Sequence, residues 1–268
     1  MRGAICYNII SVFSGTNIIS RICHVMANNK ITASFRLFSV ISVLISAVIS
    51  KLLHIAFLSA AADITVSDTL AAIAKYSSVL FGMVSVTLAV SATVYAHSYF
   101  GRKTALTTSF ISLACLFSGK VLMFLYNILA NELSAAQIFS GALSYLTEVL
   151  LDLLIIFTSL IVSMAFAKKR ELSKKENADA SYSPLRASCI SLTVYTFLLV
   201  LDLTFMNVIP FLVKYDNYSA IEIKNIIGDY LFYLFHIPVF ILLAYLCMLL
   251  LSKVTGRLKI KKHYQSKL

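Results

Sequence analysis

Two acids lie inside an apolar stretch long enough to cross a bilayer. In residues 144–167, SYLTEVLLDLLIIFTSLIVSMAFA, Glu148 and Asp152 are four residues apart. On a helix they share one face, which Ser159 and Ser163 continue at the same phase. A carboxylate at membrane depth costs roughly 2.5–3.5 kcal/mol on insertion scales, so it needs a partner or water.

The partners are sought at the same depth in the other apolar segments. Counted from the outer end of each span, Lys51, Lys120, Asp152, Asp202 and His236 fall in one band, roughly 12–17 Å deep at 1.5 Å per residue. His54 and Glu148 lie nearer that end. The two lysines and two aspartates of the band balance in charge and come from separate spans. Ionisable residues inside a membrane are candidates for a substrate or proton site, and they usually face the bundle interior. Ion pairs that only hold helices together would give the same pattern. Asp152 is expected to face at least one of Lys51 and Lys120, with Asp202 taking the other or His236.

Other chemistry finds no foothold. The five histidines, His24, His54, His97, His236 and His263, form neither His-x3-His nor HExxH, so no metal is expected. There is no GxxxxGK[ST] and no GxGxxG, and no cofactor is implied. Ser140–Ser144, SGALS, lacks the GxSG that would shape an intramembrane serine nucleophile. Gly228-Asp229 lacks the first glycine of GxGD. Enzymatic activity is therefore not expected. Asn217-Tyr218-Ser219 matches a glycosylation sequon but lies close to the membrane and is read as a chance match.

Composition sets the environment that must position these groups. Of 268 residues, 59% are hydrophobic and only 13% charged; the mean hydropathy is +0.86. A soluble domain carries about 25% charged residues, so the solvent is lipid. With no Trp, the 14 Tyr and 18 Phe must anchor the interfaces. The net charge of +11 comes from residues at the ends of apolar segments. It is read as membrane orientation and contact with anionic lipid rather than nucleic-acid binding. Cys6, Cys23, Cys115, Cys189 and Cys247 form no CxxC pair and are read as small apolar residues.

The expected fold is an all-α polytopic membrane protein, with six transmembrane helices in one bundle at 37–252. The spans are placed at about 37–61, 76–98, 105–129, 144–167, 187–213 and 226–252. Residues 1–36 form an N-terminal cytoplasmic or interfacial segment. Within it, 4–20 is read as an amphipathic interfacial helix, with a marginal extra span as the alternative. Residues 168–186 are charged and polar and read as a mobile linker; 253–268 form a basic tail. Serine stripes (Ser39, Ser42, Ser46 and Ser50) and small-residue stripes (Gly82, Ser85, Ala89, Ala92 and Ala96) point to close helix contact. The bulky last span is expected to face lipid. The odd spans share an opening Ser-x-Ile-Ser, at Ser39, Ser109 and Ser188, which is read as composition rather than repeat.

Lysine and arginine assign the sides. Residues 2–36, 102–103, 168–186 and the tail hold all but five of the 23 Lys and Arg. The opposite loops hold Lys75, Lys214 and Lys224, while Lys51 and Lys120 lie within spans. Both termini are thus expected in the cytoplasm, in the plasma (inner) membrane. The function expected from this pattern is a small-solute transporter or permease-like protein, with the charged layer in the outer half of the bilayer. The alternative is a non-catalytic membrane subunit or scaffold whose basic loops dock a protein partner. The positive-inside bias makes a direct prediction. A cysteine placed at Ser173 should resist an impermeant thiol reagent in intact cells and react only after permeabilisation; strong labelling of intact cells would reverse the orientation.

Overall fold

The apolar segments become six long helices, because a backbone in hydrocarbon must satisfy every N–H and C=O internally. The structure, a computed structural model, describes residues 31–60, 68–131, 135–175, 183–205 and 220–256. Helix α1 is Ile31–Ala60, α2 is Asp68–Phe100 and α3 is Arg102–Asn131. Helix α4 is Ala135–Lys175, α5 is Pro184–Leu203 and α6 is Ala220–Val254. All six contain an apolar window long enough to cross a bilayer, and no strand occurs among the described residues. The chain is a multi-pass integral membrane protein with an all-helical bundle. The expected interfacial helix within 4–20 and most of the basic tail lie outside the described residues.

Several boundaries differ from the sequence reading. Residues 31–36, inside the segment assigned to the interface, already belong to α1. α4 continues to Lys175, so 168–175 is helix and not linker. Lys, Arg and Glu are good helix formers, and cations favour a helix C-terminus. α2 and α3 are separated by Gly101 alone, at φ 87°, a left-handed conformation that glycine adopts without strain. α5 starts with Pro184 in its first turn, where the missing N–H matters least. Its α-helical part is described to Leu203; the expected end at 213 lies outside the described residues.

By internal contacts the chain divides into Ser39–Leu251 and a second unit made of Met1–Phe38 with Ser252–Leu268. In the second unit, the Gly256 N–H donates to the Lys253 carbonyl at 3.0 Å. Gly256, at φ 66°, closes the end of α6 in the manner of a left-handed C-terminal cap.

Within 39–251, α2 is the central helix. In its membrane-length window 72% of residues are buried, against 22–39% in the other five. Every residue from Ser85 to Ala96 is buried, so no face of that stretch meets lipid. α3, α4 and α5 all pack against it. α1 seats on α2 and α3 at two small residues. A Cβ on Gly82 would stand 3.3 Å from Ser50 Oγ, and one on Gly119 would stand 3.2 Å from the Ala47 carbonyl oxygen. Small residues let helix backbones approach where lipid offers no hydrophobic drive for association.

Directions follow from the contacts. Ser50 Oγ donates to Ser78 O at 2.9 Å, and Ser109 Oγ to Thr93 Oγ1 at 3.3 Å. Phe124 and Tyr145 pack edge-on at 5.3 Å, and Asn127 Nδ2 donates to Tyr145 OH at 2.8 Å. Thr204 and Tyr230 share a hydroxyl hydrogen bond of 2.6 Å. Each sequential pair so joined is antiparallel, as consecutive crossings require. Most buried hydroxyls instead bond carbonyls one turn back in their own helix, such as Thr87 to Met83, Ser159 to Ile156 and Ser163 to Leu160. That local bond is what lets a hydroxyl sit in an apolar interior. Five of the six serines in the shared Ser-x-Ile-Ser pattern, Ser39, Ser109, Ser112, Ser188 and Ser191, are buried. Around the outside, Phe110, Phe157, Phe235, Leu242 and other large apolar side chains are exposed. On α6 they form the broad lipid face expected from its bulk.

The Gly119 contact is testable. Gly119→Leu should lower stability by about 1–3 kcal/mol through overpacking, read by unfolding in detergent. Gly228→Leu, where nothing lies within 4 Å of the added Cβ, should leave it unchanged. Equal effects would mean that the α1–α3 approach is not tight.

Candidate functional site: a charged cavity among six helices

The two small-residue seats have a consequence for charge. Lys51 directly follows Ser50, which touches α2, and Lys120 directly follows Gly119, which touches α1. Each lysine is therefore placed just beyond a close backbone approach. Between the helices at this level is a cavity of about 290 Å³.

All six helices line it. α1 contributes Ala47, Ser50 and Lys51; α2 contributes Gly82, Ser85 and Val86; α3 contributes Leu116, Gly119 and Lys120. α4 contributes Glu148, Leu151 and Asp152. On each of these four helices the residues stand at i, i+3 and i+4, one patch of one face. α5 presents Tyr195, Leu199 and Asp202, and α6 presents Tyr233. Five ionisable groups thus converge: two lysines and three carboxylates.

One pair is closed. Lys120 Nζ lies 2.9 Å from Asp152 Oδ2 and 3.6 Å from Glu148 Oε2. The Asp152 side chain is 5% exposed and Lys120 11%, whereas Glu148 is 46% exposed. The Asp152 contact is thus a short, desolvated, charge-assisted hydrogen bond. The Glu148 contact is longer and largely screened. The Lys120 stem also borders an apolar groove of about 210 Å³ between α3 and α4, with Phe117, Phe124, Leu146 and Val149. Its methylenes meet apolar surface while its ammonium reaches the carboxylates.

The remaining charges stay open. Among the described residues, no acid lies within salt-bridge distance of Lys51 and no cation within that distance of Asp202. The second pair expected from depth does not close. Lys51 and Asp202 instead face the same cavity from α1 and α5.

The two histidines occupy other surroundings. His54 sits on α1 one turn from Lys51, with its ring 6.0 Å from Phe57, and is not among the cavity's lining residues. His236 is buried within α6. Its Nδ1–H donates to the Phe232 carbonyl at 2.8 Å. Its ring is surrounded by Phe232 at 4.7 Å, Tyr233 at 5.3 Å and Phe240 at 6.0 Å. Pro238 lies two residues on, inside the same helix. Depth brought His236 into the charged band, but rotation about α6 turns it into an aromatic cluster.

Two cavity residues escaped the sequence reading: Tyr195 and Tyr233. In a chain without Trp, tyrosine type alone points to the membrane interfaces. Yet Tyr195 lies seven residues before Asp202, two turns back on the same face. That spacing was the available signal. Tyr195 also packs edge-on against Phe240 of α6 at 6.0 Å. Among the described residues no cluster of His, Cys, Asp or Glu forms a metal-binding set. Cys115 and Cys247 are buried thiols.

No protein-family model, curated protein or solved structure matches this chain. The buried pair itself yields a prediction. Asp152→Asn leaves the Lys120 ammonium without its closest acceptor, and breaking one side of a buried pair costs roughly 3–5 kcal/mol. Adding Lys120→Met should recover much of that loss. A double-mutant cycle on unfolding in detergent reads the coupling; purely additive losses would show that the two groups do not interact.

Proposed function

We propose that this chain is a small-solute transporter whose binding site is the charged cavity. The observation that carries the reading is the convergence of Lys51, Lys120, Glu148, Asp152 and Asp202, from four helices, on one cavity of about 290 Å³. Charge is expensive at membrane depth. A bundle held together only by pairing has no need of an open lysine and an open aspartate facing the same space. A charged solute entering that space would offset both. Tyr195 and Tyr233 supply hydroxyls and ring faces to the same walls. The positive-inside asymmetry orients the protein with both termini in the cytoplasm of the plasma (inner) membrane, and with the cavity in the outer half of the bilayer.

A second reading is a membrane subunit or scaffold in which the charges are structural and the basic cytoplasmic segments dock a partner. The closed Lys120–Asp152 pair favours it, since such a pair can hold α3 against α4 without any ligand. The two readings part at Lys51 and Asp202, which no described partner holds. Cells lacking the chain should show an altered internal pool of at least one small charged metabolite, read by untargeted uptake and efflux. The wild-type gene should restore that pool. Lys51→Met and Asp202→Asn, though inserted at normal levels, should each reduce flux by about tenfold or more, the loss of about 1.4 kcal/mol of contact energy. Full restoration by both variants would remove the cavity from the function and leave the scaffold reading.

A further inference from the structure

We infer that the cavity selects a small zwitterion, with Lys51 receiving its anionic group and Asp202 its cationic group. The inference rests on the reading of the cavity as a substrate site and adds the class of ligand.

Lys120 and Asp152 neutralise one another at 2.9 Å. Glu148, 46% exposed, sits at the accessible side of the same lysine. Besides that half-exposed, solvent-screened carboxylate, what remains facing the cavity is one cation and one anion, Lys51 on α1 and Asp202 on α5. Neither has an opposite charge within salt-bridge distance among the described residues. In a low-dielectric interior each open charge is stabilised by a complementary one. A ligand that satisfies both must carry both signs.

The alternatives fit less well. A simple anion would satisfy Lys51 but face three carboxylates. A bare metal cation would need a shell of oxygen ligands, whereas two ammonium groups stand among the acids. A simple organic cation would leave Lys51 open. Size acts in the same direction, because pockets for drug-sized ligands begin at about 300 Å³. A cavity of about 290 Å³ therefore suits a metabolite of amino-acid dimensions. Ser50 and Ser85 also line the walls. Their hydroxyls are already used, toward Ser78 O and Gly82 O respectively. Selectivity thus falls first on the charges.

The test uses the full-length protein in lipid nanodiscs. The probes are the straight-chain ω-amino acids from glycine to 6-aminohexanoate, with the carboxylate and the amine of matching length for each. Binding is read by equilibrium dialysis of labelled probe. At least one amino acid should bind about tenfold or more tighter than both of its single-charge counterparts, and the best chain length measures the span from Lys51 to Asp202. If a carboxylate or an amine binds as tightly as its amino acid at every length, or if no probe binds, the inference is overturned.

The two ends can be separated. Lys51→Met should erase the advantage of the amino acid over the amine, and Asp202→Asn its advantage over the carboxylate. If both variants fold, judged by their unliganded unfolding temperature, and both keep the wild-type preference, the assignment is overturned. If either fails to fold, the wild-type panel alone decides. Counterflow of the best binder in proteoliposomes then divides the two claims. Preferential binding without flux sinks the transport reading and leaves the ligand class standing. Flux of a single-charge solute without zwitterion preference does the reverse.

Discussion

Asp152 has almost no access to solvent and lies among apolar helices, so its charge is tolerable only where another charge meets it. Lys120 supplies that charge at 2.9 Å. Much of the local architecture depends on this contact. It sets the register of α3 against α4, which Asn127, Phe124 and Tyr145 extend along the same seam. It also joins Glu148, one turn away, to the same lysine. Because the Asp152 contact is the short, dry one and the Glu148 contact the longer, wetter one, the lysine has two acceptors of unequal environment.

The helices could not bring these groups together if their backbones were held apart. Lipid gives helices no hydrophobic reason to associate, so contact depends on packing and polar bonds. Gly82 and Gly119 admit α1 to its neighbours, and the residues beside these seats are the ones that line the cavity. α2 makes the converse contribution. Its stretch from Ser85 to Ala96 is buried on all sides and carries a stripe of small residues at Ser85, Ala89, Ala92 and Ala96, so other helices can pack around it. Hydroxyls bonded within their own helices let that interior be rich in Ser and Thr without a network that would fill the cavity.

The charged groups therefore fall into two classes. Lys120 and Asp152 are matched and desolvated, in the manner of a structural pair. Lys51 and Asp202 come from helices that do not place them within salt-bridge distance of a described opposite charge. A purely structural layer would be expected to close all its pairs, since each open charge in a low-dielectric region is a loss. The contrast between the closed pair and the open groups, within one cavity, is the physical basis for reading function here.

The amino-acid sequence by itself determined that the chain crosses a membrane as six helices, because uninterrupted apolar length is a one-dimensional property and hydrocarbon permits few backbone solutions. Depth was legible for the same reason: rise along a helix is linear in residue number. It placed Lys51, Lys120, Asp152 and Asp202 at one level, and the spacing of Glu148 and Asp152 gave their shared face. Rotation and neighbourhood were not legible. His236 has the right depth but turns toward Phe232, Tyr233 and Phe240, while the type of Tyr195 points to an interface and its phase with Asp202 points to the cavity. Helix ends were blurred where charged residues favour helix anyway, as at 168–175. Which lysine meets Asp152 depends on how closely α1 approaches α3 at Gly119 and how α4 lies against both. Those are distances between residues far apart in the chain, and only the tertiary structure decides them.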